Sequence, residues 1–261
     1  MNKIKKQIII LQLMALIIGG YGCEMKKEKV KQEPTLNEWQ KEFLAEQGLP
    51  TEYSELNLTQ QLSVDAIYEM IMYLEEKYGI GFEYTGYVRP QILEKEYMTA
   101  IPEGGNAKTD TVTVTREDDG TFTDDYPNIA VRPYYEQMIT DYIKDYFNSD
   151  KIKVFSTVTE TSLESVENID NELLEKKISA TNVIFIHSNL CSKDMLVKFA
   201  TDYTEWMKEH NFVSTNRINI VFNVDIPNIN YSNLSDYYDK EHLKFDLLCY
   251  VKSSGEIIIN K

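Results

Sequence analysis

Leu62, Ala66, Ile67, Met70, Ile71 and Leu74 recur at the i, i+4, i+5 spacing of one helical stripe. That spacing predicts a helix from about Gln60 to Tyr78, closed by Gly79. A shorter helix is predicted just before it. Thr35-Leu36-Asn37-Glu38 has the pattern of a capping box, Leu36, Trp39, Phe43 and Leu44 share a face, and Gly48 and Pro50 supply the stop. Pro133 stands at the position a helix start tolerates, and Tyr135, Met138, Ile139, Tyr142, Ile143 and Tyr146 follow it as an amphipathic face. Residues 162–177 carry a weaker helical pattern through Leu163, Val166, Leu173 and Leu174. The strongest pattern runs from Ser192 to His210, with Met195, Leu196, Phe199, Ala200, Tyr203, Trp206 and Met207 on one side.

Between these stripes the period changes to two. Strands are predicted at Phe82–Tyr87, Tyr97–Ile101 and Thr109–Thr115, the last (TDTVTVT) alternating cleanly. Glu117-Asp118-Asp119-Gly120 reads as a hairpin turn into Thr121-Phe122-Thr123. Further strands are predicted at Ile152–Val158, Val183–Ile186 and Ile218–Val224. A closing hairpin joins Leu243–Val251 to Glu256–Ile259 around Ser253-Ser254-Gly255. Clustered hairpin strands between amphipathic helices predict an α+β body with a mainly antiparallel sheet. A break near Thr159–Asn171 divides it into lobes at 35–158 and 159–261, or it is one continuous domain.

The amino terminus follows neither rhythm. Three lysines and no acid precede Ile8–Ile18, a run interrupted only by Gln12 and apolar on every face. A positive start, a short apolar core and small residues after it describe a secretory signal peptide. The run falls short of the roughly 20 residues a membrane-spanning helix needs. Gly20-Tyr21-Gly22-Cys23 then resembles the lipobox of bacterial membrane lipoproteins, with Gly22 as the small residue before the cysteine. The resemblance implies that residues 1–22 are removed. Cys23 then becomes the first residue and carries long acyl chains of the palmitate kind. One such chain holds a membrane only marginally, at about 0.8 kcal/mol per buried methylene, whereas two or three hold it durably. Residues 23–34, charged and nearly free of apolar side chains, read as a flexible tether. About 12 residues at ~5–6 Å × √n reach roughly 20 Å.

Composition narrows the picture further. Loss of 1–22 removes three lysines and no acid, taking the net charge from −15 to −18. Such a charge excludes a nucleic-acid partner, which demands clustered Lys and Arg, and it does not suit an anionic lipid surface. The 18 Tyr and 10 Phe provide ample material for a core. Richness in Ile, Lys, Asn and Tyr resembles proteins of low-GC Gram-positive bacteria, whose lipoproteins sit on the outer face of the cytoplasmic membrane. Beyond Cys23 only Cys191 and Cys249 remain, either as a disulfide or as two unrelated thiols.

Candidate chemistry is sparse. Glu117, Asp118, Asp119, Asp124 and Asp125 form the densest acid cluster, yet not at the alternating spacing of a calcium loop. His187 and Ser188 are adjacent on a strand, so their side chains diverge. His187, His210 and His242 lack metal-ligand spacing, and no G-x-S-x-G, P-loop, G-x-G-x-x-G, H-E-x-x-H or CxxC occurs. Neither a cofactor nor a metal is implied. The segment Asp225–Glu241 has no period and is long for a connection. Its Tyr231, Tyr237 and Tyr238 would suit a binding surface. These features point away from an enzyme and toward a membrane-anchored extracytoplasmic lipoprotein that binds a protein, peptide or cell-wall component. The alternative is a cell-surface hydrolase acting on wall or secreted polymers through a carboxylate pair.

Overall fold

A computed structural model describes residues 35–163, 166, 169 and 177–260. The leader, Cys23, the tether and most of the weak helix expected at 162–177 lie outside them. The fold is α+β, as the pattern predicts. Among the described residues the α-helices are α1 (Glu38–Glu46), α2 (Leu58–Tyr78), α3 (Tyr126–Phe147) and α4 (Lys193–Glu209). None of these helices is long and apolar enough to cross a membrane.

The strands form two sheets. The first is a four-stranded antiparallel meander of β1 (Phe82–Val88), β2 (Tyr97–Pro102), β3 (Val112–Arg116) and β4 (Phe122–Asp124), in that order. Alternation sends Met98, Ala100, Val112 and Val114 to one face, where they bury against Ile67, Met70, Ile71 and Leu74 of α2. Gly79, at φ 69°, ends α2 in the left-handed turn that glycine allows. Gly120, at φ 85°, does the same for the β3–β4 turn.

The second sheet runs β5 (Ile152–Thr161), β6 (Ile178–His187), β7 (Phe212–Val221), β8 (Leu243–Val251) and β9 (Ile257–Asn260). β6 and β7 are parallel, joined through α4, and every other pair is antiparallel. Helices α3 and α4 cover one face of this sheet. Tyr135, Ile139, Ile143, Phe199, Tyr203 and Met207 pack there on Ile178, Ile184, Ile218 and Ile220. A lobe boundary at 158/159 would fall inside β5, which pairs with β6 along its length. Leu36–Lys261 is one compact unit.

Two helix starts differ from expectation. The first capping box is made by Asn37 and Gln40, not by Thr35, because Asn37 Oδ1 accepts the Gln40 amide at 2.9 Å and Gln40 returns the bond. Helix α3 begins at Tyr126 rather than at Pro133, with Pro127 in its first turn and Pro133 in its interior. Packing overrides the proline: Tyr126 and Ile129 join the first core while Val131, Tyr135 and Ile139 join the second. One helix thereby ties both sheets together.

Candidate functional site

The acid cluster does not converge on a common point. Glu117 pairs with Lys95 and accepts the Thr123 hydroxyl at 2.8 Å. Asp119 accepts the amide and hydroxyl of Thr121, Asp118 is exposed, and Asp125 accepts the Thr113 amide at 2.6 Å. Asp124 faces inward and is solvent-inaccessible. It accepts from the Tyr73 hydroxyl, the Lys77 ammonium and the Tyr78 hydroxyl, each at 2.7 Å. Burial pushes the Asp124 carboxyl up, but the bonds from Lys77, Tyr78 and Tyr73 outweigh it and hold the group below the usual carboxylate range. Asp125, by contrast, is raised by burial. These are the struts of a hairpin turn, and among the described residues no set of three or more His, Cys, Asp or Glu gathers at a metal-binding distance.

The tyrosines of 225–241 turn inward rather than outward. The segment holds two 3-10 turns, Ile226–Asn228 and Leu234–Tyr238, and covers the second sheet's other face. Tyr238 stacks on Phe185 at 6.0 Å and lies under the Arg217 guanidinium, and Tyr237 meets Phe185 edge-on. Tyr231 packs on Phe155 at 4.8 Å, and its hydroxyl donates to Glu136. The amide of Ser156 donates to the same carboxylate at 2.7 Å. Arg132 adds a cation over the Tyr231 ring at 5.3 Å while pairing with Asp110 at 2.7 Å. Burial raises the Glu136 carboxyl despite these donors. Glu136 and Tyr231 border an open pocket of about 600 Å³ together with Lys153 and Asp150. Since Glu136 is already taken by Tyr231 and Ser156, this corner pins the segment to α3 and β5.

Cys191 and Cys249 are buried free thiols. Burial pushes them to about 11 and about 12, so neither is a thiolate nucleophile at neutral pH. The histidines are scattered: His187 Nδ1 lies 2.7 Å from Asn189 Oδ1, His210 Nδ1 lies 2.8 Å from the Trp206 carbonyl, and His242 packs on Tyr237.

One site that sequence reasoning missed lies between α1, the end of α2 and β1. It is a groove of about 510 Å³ bordered by Glu42, Glu46, Glu75, Glu83 and Glu103. No Lys or Arg lines it, and none of these five acids is in an ion pair among the described residues. Its wall is aromatic. Trp39 and Phe43 stack at 5.2 Å and 8°, and Phe43 meets Tyr84 edge-on at 5.0 Å. The i, i+3, i+4, i+7 positions of α1 place Trp39, Glu42, Phe43 and Glu46 on one side, while Leu44 anchors the helix below. An aromatic wall with a carboxylate rim is complementary to a cation carrying an apolar stem. The signal was present in the sequence as acids interleaved with the first helix's aromatics, but β1 and α2 supply the other half from a distance.

No family model matches the chain, and no curated protein matches it. Among solved structures, a DUF5037 family protein from Ruminococcus gnavus is similar at 12% identity, over 74% of this chain and 94% of that one, with a TM-score of 0.35. At that TM-score the likeness carries no argument about function.

Proposed function

We propose that this is an extracytoplasmic, lipid-anchored binding protein whose ligand is a basic peptide or protein segment. The observation that carries the ligand class is the groove of α1, α2 and β1, acidic at its rim, aromatic on its wall and lined by no cation. A lysine or arginine stem lying on Trp39 and Phe43 would place its charge among Glu42, Glu46 and Glu83. Each cation–aromatic contact contributes about 0.5–2 kcal/mol and each rim charge adds steering. Support for the anchor is the leader and the lipobox-like Gly20–Cys23. Support for binding over hydrolysis is that the acids of 117–125 are held by separate donors or, in Asp118, exposed, while Glu136 is engaged by Tyr231 and Ser156.

Titration with an oligolysine peptide of about ten residues tests the ligand class, followed by calorimetry at two salt concentrations. Trp39→Ala, and separately Glu42→Gln with Glu46→Gln, are expected to weaken binding about tenfold. Asp236→Asn with Glu241→Gln, exposed acids on the other sheet's cover, are expected to leave it unchanged. Equal losses from both sets would reduce the interaction to bulk charge and overturn the groove assignment.

A further inference from the structure

The β1–β2 connection breaks the rules of its own turn. Gln91 and Glu94 exchange backbone bonds (2.8 and 3.3 Å), leaving Ile92 and Leu93 as the two residues at the tip. Two-residue hairpin loops favour Asn, Asp and Gly, for their positive φ and local hydrogen bonding. Here two large aliphatic side chains, neither at positive φ, stand 101% and 99% exposed. They contribute nothing to either core. Leu58 and Leu62, at the start of α2, are 69% and 60% exposed and lie beside the same hairpin, since Arg89 donates to Thr59 Oγ1 at 3.2 Å. Leu62 and Arg89 line one groove.

The chain enters the folded body at this end. Leu36 packs with Leu56 and Val64, and Val64 is two residues beyond Leu62 in α2. Residues 89–96 hold Arg89, Glu94, Lys95 and Glu96, so the tip is neutral on a strongly acidic protein. A convex, uncharged pair of aliphatic side chains toward the end of α2 against which Leu36 packs has the form of a membrane contact. We propose that Ile92 and Leu93 insert into the outer boundary of a zwitterionic bilayer, with Leu58 and Leu62 beside them. They would seat the tether end of the body on the membrane. This rests on the anchor reading for its geometry, but the contact is testable without the anchor.

The test places an environment-sensitive dye on Leu93→Cys, with a control on Ser253→Cys in the β8–β9 turn. Cys191 and Cys249 are buried, and in the anchorless chain Cys23→Ala leaves the engineered thiol as the accessible one. Titration of residues 23–261 carrying Cys23→Ala, free of the apolar leader, with phosphatidylcholine vesicles is expected to brighten and blue-shift the label at 93. Bromine-bearing lipids should quench it, with high salt having little effect and the label at 253 staying aqueous. Adding Ile92→Ser is expected to weaken partitioning about tenfold. Flotation of the full chain with vesicles reads the anchor separately. If the chain floats but the label at 93 stays aqueous, the insertion proposal falls and the anchor stands. A label shift with the anchorless chain upholds insertion even if the full chain fails to float. A response on whole cells but not on vesicles would assign the tip to a protein partner and overturn the proposal.

Discussion

Asp124 is the residue on which the first sheet's closure depends. Its carboxylate collects two tyrosine hydroxyls and a lysine from α2 and the Tyr126 amide from α3, all from within a site closed to solvent. Its folded pKa lies below the unfolded value near 3.9, so the stability it contributes is fully present above about pH 4. That contribution is lost as pH falls through the folded value. Asp124→Asn is expected to cost about 2–3 kcal/mol at pH 7, because the solvent-closed side chain loses the charge that strengthens its bonds from Tyr73, Tyr78 and the exposed Lys77. Denaturant titrations from pH 7 to pH 2 should show the two curves converging in acid. A constant gap across that range would contradict the assignment. The sequence grouped Asp124 with its acidic neighbours because they are adjacent. The alternation Thr121-Phe122-Thr123-Asp124 already placed it on the core face with Phe122, and that clue was legible. The partner of Tyr231 was not, since Glu136 is distant in the chain and no local pattern links them.

At the scale of elements, helices with one buried stripe and strands with clean alternation were readable, because burial sets their period directly. Segments settled by tertiary contact were not. Asp225–Glu241 lacks a period, yet Ile226, Ile229, Tyr231 and Leu234 fasten it over Phe155, Phe185 and Val221. The parallel β6–β7 pair hides a buried polar chain. Ser156 Oγ donates to Asn182 Oδ1 at 2.8 Å, and Asn182 Nδ2 donates to both the Tyr135 hydroxyl and Asn216 Oδ1. Tyr203 closes the chain at 3.1 Å on Asn216. Asn216→Leu is expected to cost about 2–4 kcal/mol by stranding these partners in the core, measured by denaturant unfolding. A loss below 1 kcal/mol would show that the network relaxes. Pro133 offers the opposite sign. It is exposed inside α3, so Pro133→Ala restores a helical N–H and should stabilise by about 1 kcal/mol, a rise of roughly 2–4 °C in Tm. A fall in Tm would mean that the proline's stiffness outweighs the bond it removes.

Over the whole molecule, α3 joins two cores that each bury a sheet against helices. The α+β class followed from the alternation of periods. The division into two sheets did not, because nothing local marks where pairing passes from β4 to β5. The acidic groove and the apolar hairpin tip belong to the same half, built by α1, α2 and the first sheet. An anchored protein would present that half next to the membrane and hold a basic ligand close to it. The proposed anchor rests on Cys23, and mass spectrometry of the amino-terminal peptide from membrane-extracted protein tests it directly. A peptide beginning at Cys23 and heavier by a diacylglyceryl group is expected. A bare Cys23, or a chain that retains residues 1–22, would contradict it.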